Sequence, residues 1–145
     1  MARHEREPSF LPLTLSTAYT VSQAVRSSPV ARASANVVSR KATEANAAAA
    51  ECWTALLAGC DGPGTRALPY RLRELAEATS VFAGVRWWHG DGSQHRHRVG
   101  LAQRRIEEAI AEHDGEDFAE AFVGYDQAVA TALARAHSRL ENLTR

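Results

Sequence analysis

The sequence predicts an all-α fold: a compact up-and-down helical bundle of four main helices plus a shorter N-terminal helix. Three observations carry that expectation. Apolar residues recur at intervals of three and four along most of the chain, the period of a helix with one buried face. No segment sustains period-two alternation, and the β-branched residues are scattered instead of clustered. Alanine supplies 28 of the 145 residues, and alanine loses no side-chain entropy on entering a helix. At this length one domain buries roughly 70% of its unfolded-chain surface without metals or disulfides. Residues 1–9 are charged and non-periodic and read as a flexible tail, leaving 10–145 as a single helical-bundle domain.

The elements follow in order. Leu11, Leu15, Ala18, Ser22 and Val25 keep helical spacing and give a first helix of about four turns. Ser28-Pro29 starts the second, with a hydroxyl cap ahead of proline at the first helical position. Its stripe runs through Val30, Ala33, Val37, Ala45, Ala48, Cys52 and Leu56 to Gly59. Residues 59–65 are rich in Gly and Pro and break the chain. Pro69 is expected in the first turn of the third helix, where a missing N–H is harmless. That helix turns Leu68, Leu72, Leu75, Thr79 and Phe82 inward and runs on through Val81 and Val85 to Trp88. A turn at residues 89–93 offers Asp91 or Ser93 as the next cap. Val99, Ala102, Ile106, Ile110 and His113 mark the fourth main helix. The turn at 114–117 ends it and caps the last, whose stripe is Phe118, Phe122, Tyr125, Val129, Leu133, Ala136 and Leu140. The second and last helices, each near thirty residues, are long for a globular domain, so they protrude or pair with a second copy.

The 17 basic and 17 acidic residues cancel, which argues against a generally polyanion-binding protein. Arginine outnumbers lysine sixteen to one, and a GC-rich genome accounts for that bias together with the alanines. The distribution is uneven. Residues 86–105 hold Arg86, Arg96, Arg98, Arg104 and Arg105 against Asp91 alone, with Trp87, Trp88 and three histidines among them. Residues 106–134 hold eight acids and no Lys or Arg. Arginines in such a segment contact phosphates and exposed Trp rings stack on bases, so these five arginines form the candidate nucleic-acid surface. The acids at the start of the last helix complement its dipole and stand ready to pair with nearby arginines.

Residues 72–81 (Leu-Arg-Glu-Leu-Ala-Glu-Ala-Thr-Ser-Val) resemble the first helix and turn of a helix-turn-helix DNA-binding module, with Val85-Arg86-Trp87-Trp88 like the start of a recognition helix. Ser80 stands where that module carries its turn glycine, Phe82 replaces a polar cap, and the Val81–Val85 interval is one residue short. One residue rotates a helix face by about 100°, so a continuous amphipathic helix is the expectation here.

Other chemistry is thin. His95-x-His97 lacks a third placed ligand, and no paired His or Glu motif suits a metal, so no metal or cofactor is expected. Glu112 beside His113 is the sole polar pair worth weighing for a small-molecule site in the bundle. No nucleophile constellation presents itself, and nothing in the sequence requires catalysis. Cys52 and Cys60 are too far apart along a helix for a disulfide. With no apolar run of transmembrane length, the expectation is a reduced, cytoplasmic protein. The sequence thus favours an interaction, regulatory or assembly protein acting through helix contacts, as a homodimer. Trp87 at a helix end and the slender Ala48–Ala49 surface are its expected contacts. A nucleic-acid-binding regulator and a small-molecule-binding or enzymatic bundle are the alternatives.

Overall fold

The structure, a computed structural model, describes residues 9–143. Apart from Ser9, the tail expected over residues 1–9 lies outside the described residues. The described residues form six helices and no strand: α1 (Pro12–Ala24), α2 (Pro29–Ala58), α3 (Pro63–Ala83), α4 (Val85–His89), α5 (Ser93–Ala111) and α6 (Gly115–Leu143). The closest pairings are α2 with α3 and α5 with α6, and α1 lies against both α2 and α6.

The helix boundaries have local causes. Ser28 caps α2, its Oγ accepting the Ala31 N–H at 3.4 Å with Pro29 in the first turn. Gly59 ends α2 in the left-handed conformation (φ +74°) that only glycine adopts cheaply. Asp114 begins α6, its Oδ1 accepting the Asp117 N–H at 3.0 Å. Three expectations fail here. The third predicted helix is two helices, because Gly84 at φ +100° breaks the chain between α3 and α4. α3 starts at Pro63, which places Pro69 inside the helix, where it deprives the residue-65 carbonyl of its usual donor. Neither Asp91 nor Ser93 caps α5, which starts from Gly92 with no side-chain cap.

α1 is held by polar side chains from its neighbours, a feature its own sequence does not announce. Its N-cap, Leu11, offers no side-chain bond. Asn46 on α2 accepts the Phe10 and Leu11 N–H groups at 2.8 and 3.0 Å. The carboxylate of Asp126 on α6 accepts the Leu13 and Thr14 N–H groups at 3.0 and 2.8 Å. Orphan donors of a helix N-terminus, and the positive end of its dipole, thus meet a buried anion.

The core runs through the bundle from Leu68, Leu72 and Leu75 on α3 to the whole α6 stripe from Phe118 to Ala136. Phe10, Phe118 and Phe122 pack with ring centroids 5.1 to 5.6 Å apart, and Trp53 leans against Phe10 and Phe118. Tyr125 is fully buried; burial pushes its phenol well above the usual range, and its hydroxyl donates to the Leu72 carbonyl at 3.2 Å. The α2 stripe is correct from Ala45 onward; before it, Val37 packs in part against the core, and Val30 and Ala33 do not. Ala35, Val38 and Ala42 face inward, whereas Val30 is 80% exposed and Ala33 faces solvent. Among the described residues no helix is long and apolar enough to cross a membrane.

Candidate functional site

Two surfaces stand out, one basic and one apolar. The basic one is built where Gly84 turns the chain out of α3. The short α4 that follows carries Arg86, Trp87 and Trp88, and the turn at Gly90–Gly92 leads straight into α5. Because α6 returns beside α5, the last turns of α6 lie against this corner. Arg139 of α6 donates from Nη1 to the Ala83 carbonyl at 3.1 Å and covers the Trp87 ring at 5.8 Å. Arg96 of α5 donates from Nε to the Trp88 carbonyl at 3.2 Å. Both guanidiniums thereby stabilise carbonyl-rich helix ends.

Trp88 is buried, as its spacing predicts. Trp87 is half-buried, with His95 stacked on it at 5.7 Å and Arg139 over its ring. Gly92 sits so close to the indole that an added Cβ would fall 2.7 Å from it. The expected partner contact Trp87 thus keeps part of its ring at the surface while the rest packs against His95, Arg139 and Gly92 of its own chain.

His95, 7% exposed, lies in the first turn of α5 with its Nδ1 buried and unpartnered. Burial, and then the charges of Arg98 and Arg135, hold its imidazole below the ordinary value. The unfolded chain then takes up a proton near pH 6.5 that the native protein resists. Stability is thus expected to fall as pH drops through about 6.5, and His95→Gln should remove that part of the slope in denaturant titrations at several pH values. An unchanged slope would contradict the burial described for this ring.

The predicted arginines divide. Arg86, Arg98 and Arg104 are exposed and make no ion pair among the described residues. Arg96 is engaged on a carbonyl. Arg105 lines two cavities between α5 and α6, one of about 290 Å³ with Glu108, Glu112, Asp117 and Glu120 and one of about 360 Å³ with Arg98. Arg139 belongs to the basic corner and was missed, since it lies in the last helix. The antiparallel return of α6 along α5 was the available signal. Glu112 and His113 are not brought together as a site. Glu112 faces the α6 side, while His113, at φ +56°, sets its Nε2 3.7 Å from Asp61 Oδ1. Among the described residues no three His, Cys, Asp or Glu side chains are placed so that they could hold a metal ion together. Cys52 is buried, which pushes its thiol up, and Cys60 is exposed; both are free.

Ala48 and Ala49 do not reach the surface. They are 8% and 0% exposed, and the close neighbour they admit is α3 of the same chain. A Cβ on Gly64 would lie 3.0 Å from the Ala48 carbonyl oxygen and 2.5 Å from Glu51 Cβ.

The apolar surface lies further along the same helix pair. Ala33 and Val37 on α2 and Ala78 and Val81 on α3 line a groove of about 350 Å³. Val30, one helical turn before Ala33, continues the line, and Val81 and Val85 are each more than half exposed. The groove ends at a charged cluster: Lys41 lies 3.3 Å from Glu74, and Arg71 lies 3.0 Å from Glu74 and 3.4 Å from Glu44. Desolvation opposes ionisation of Glu74, but hydrogen bonds from Arg71, Tyr70 and Lys41 outweigh it and hold the carboxyl below its usual range.

No protein-family model, curated protein sequence or solved structure matches this chain.

Proposed function

We propose that this protein is a non-enzymatic interaction or assembly component that works as a homodimer, each copy laying its α2/α3 groove against that of the other. It is a bundle of four main helices with accessory α1 and α4, and it acts in the cytoplasm, where its two free thiols stay reduced. One observation carries the reading. The periodic stripe Val30, Ala33, Val37 is written like a core face, yet Val30 and Ala33 are exposed and Val37 packs only in part against the core of its own chain. Apolar stripes at helical spacing bury against something, and a patch of this kind on a soluble surface marks a contact site.

A second copy is the occupant the groove suits best. A two-fold contact is self-complementary, and this groove offers both partners to itself: exposed valines at one end, Lys41 beside Glu74 and Glu77 at the other. Set against a twin in antiparallel sense, valines meet Ala33 and Ala78, and Lys41 of one copy approaches the acids of the other. Trp87, Ala48 and Ala49 contribute indirectly, by holding α2, α3 and α4 in place.

Light scattering on eluting protein tests this. Val30→Glu combined with Val81→Glu places a charge on each side of the contact at positions the monomer leaves exposed. A buried, unpaired charge costs several kcal/mol, so the dissociation constant should rise by about 100-fold or more. Helicity should be unchanged. Leu101→Glu, at an exposed site on α5, should leave the dimer intact. A wild-type monomer, or a dimer that the double variant keeps, would overturn the proposal.

A further inference from the structure

A second site lies in the seam between α5 and α6, separate from the α2/α3 groove. Arg98 and Arg105 stand two turns apart on α5, about 10.5 Å along its axis and within about 20° of one face, and both line the cavity of about 360 Å³. That volume is within the range of small-molecule sites, about 300–1,000 Å³. Between the two arginines the cavity is apolar: Leu101 lines it, and Ala102 of α5 and Ala128 of α6 form its buried floor. Because α6 returns antiparallel, Thr131 stands at the Arg98 end and Gly124 at the Arg105 end. A Cβ on Gly124 would meet nothing within 4 Å, so the space beside Arg105 is open. No carboxylate lines this cavity, and neither arginine makes an ion pair among the described residues. The acids of the hairpin, Glu108, Glu112, Asp117 and Glu120, line the neighbouring cavity beyond Arg105.

We propose that this cavity binds an elongated dicarboxylate, with one anionic group at each arginine and an apolar chain between them. A single guanidinium at each end offers one planar fork, which matches the two oxygens and the one charge of a carboxylate. A phosphate in the same place would carry a second charge that no other base in the cavity meets. The chain of the ligand covers Leu101, Ala102 and Ala128 and removes their apolar surface from water. Thr131 and Gln127 add a hydroxyl and an amide donor on the α6 wall. The four acids beyond Arg105 repel a carboxylate placed further along the seam, which fixes the ligand between the two arginines.

NMR titration of the isotope-labelled full chain tests this, with decanedioate as the probe, whose carboxyl carbons stand about 11 Å apart when extended. A ligand of this size should bind with a Kd of about 1 mM or below, and the shifts should gather on residues 98–105 and 124–131. Decanoate, with one carboxylate, should bind about 10-fold more weakly. Arg98→Gln should abolish that preference, whereas Arg104→Gln, at an exposed arginine that lines neither cavity, should keep it. Gly124→Leu, at an exposed position, should fill the cavity and remove binding with helicity unchanged. No shift at about 10 mM decanedioate, shifts elsewhere on the bundle, or a preference that Arg98→Gln keeps would each overturn the proposal. Tighter binding of an alkyl bisphosphonate of the same length would overturn the carboxylate assignment.

Discussion

Asp126→Ala should cost this protein about 4 kcal/mol and release α1 from the bundle. The carboxylate is 3% exposed and accepts two α1 backbone N–H groups, and the buried Thr14 hydroxyl donates to the Asp126 carbonyl at 3.2 Å. A hydrogen bond to a charged group contributes about 1.5–3 kcal/mol, and removing the acceptor leaves the donors without partners. In a chain of this size each kcal/mol shifts the melting temperature by about 3 °C, so a fall of about 12 °C is expected in calorimetry. Asp126→Asn keeps one acceptor oxygen and should lose roughly half as much. Hydrogen exchange should accelerate first at Leu13 and Thr14, because α1 opens before the rest. A melting temperature within about 2 °C of wild type would mean that the α1 N-terminus is not held by Asp126.

The second large effect comes from a glycine. Gly64 is buried in the first turn of α3, against the backbone of α2. An alanine there would set its Cβ 3.0 Å from both the Ala48 carbonyl oxygen and the Cys52 backbone nitrogen. Backbone atoms cannot rotate aside, so the helices must separate, and overpacking of this kind costs about 1–3 kcal/mol. Alanine's better helix propensity returns at most about 1 kcal/mol. We expect Gly64→Ala to lose about 2 kcal/mol in urea titration. Gly124→Ala makes the comparison sharp. Nothing lies within 4 Å of an added Cβ at Gly124, which sits on the exposed face of α6. There propensity acts alone, and stability should rise by about 0.5–1 kcal/mol. The same sign at both positions would contradict the α2–α3 contact described.

Much of the fold was legible because local chemistry and packing agreed. Ser28-Pro29, Gly59 and the α6 stripe from Phe118 to Ala136 each state one conformation, and neighbouring helices reinforce it. Where sequence reasoning failed, the deciding partner was distant in sequence. Gly84 reads as one small residue in an amphipathic run; its positive φ is set by the docking of α4, with Arg139 sealing the end of α3. Asp126 reads as one more acid on α6, and only the approach of α1 from 112 residues away makes it a cap. The Val30–Ala33–Val37 stripe has the right period, but period alone does not say which of its residues the core of the chain reaches, and only Val37 packs against it in part. The α5/α6 cavity was half legible: Arg98 and Arg105 lie within one segment, while Gln127 and Thr131 join them only through the α5–α6 hairpin. Trp87 was half legible: its helical angle points outward, and only the Gly92 turn and Arg139 show which part of its ring is packed within the chain.

The measurement that bears most directly on the central claim is the native mass of the untagged chain at micromolar concentration. Self-association through the α2/α3 groove predicts a species of about 32 kDa, twice the 15.8 kDa of one chain. Under the same conditions Val30→Glu/Val81→Glu should run at 15.8 kDa. A wild-type mass of 15.8 kDa, unchanged on concentration, would contradict the account and leave the valine stripe without its partner.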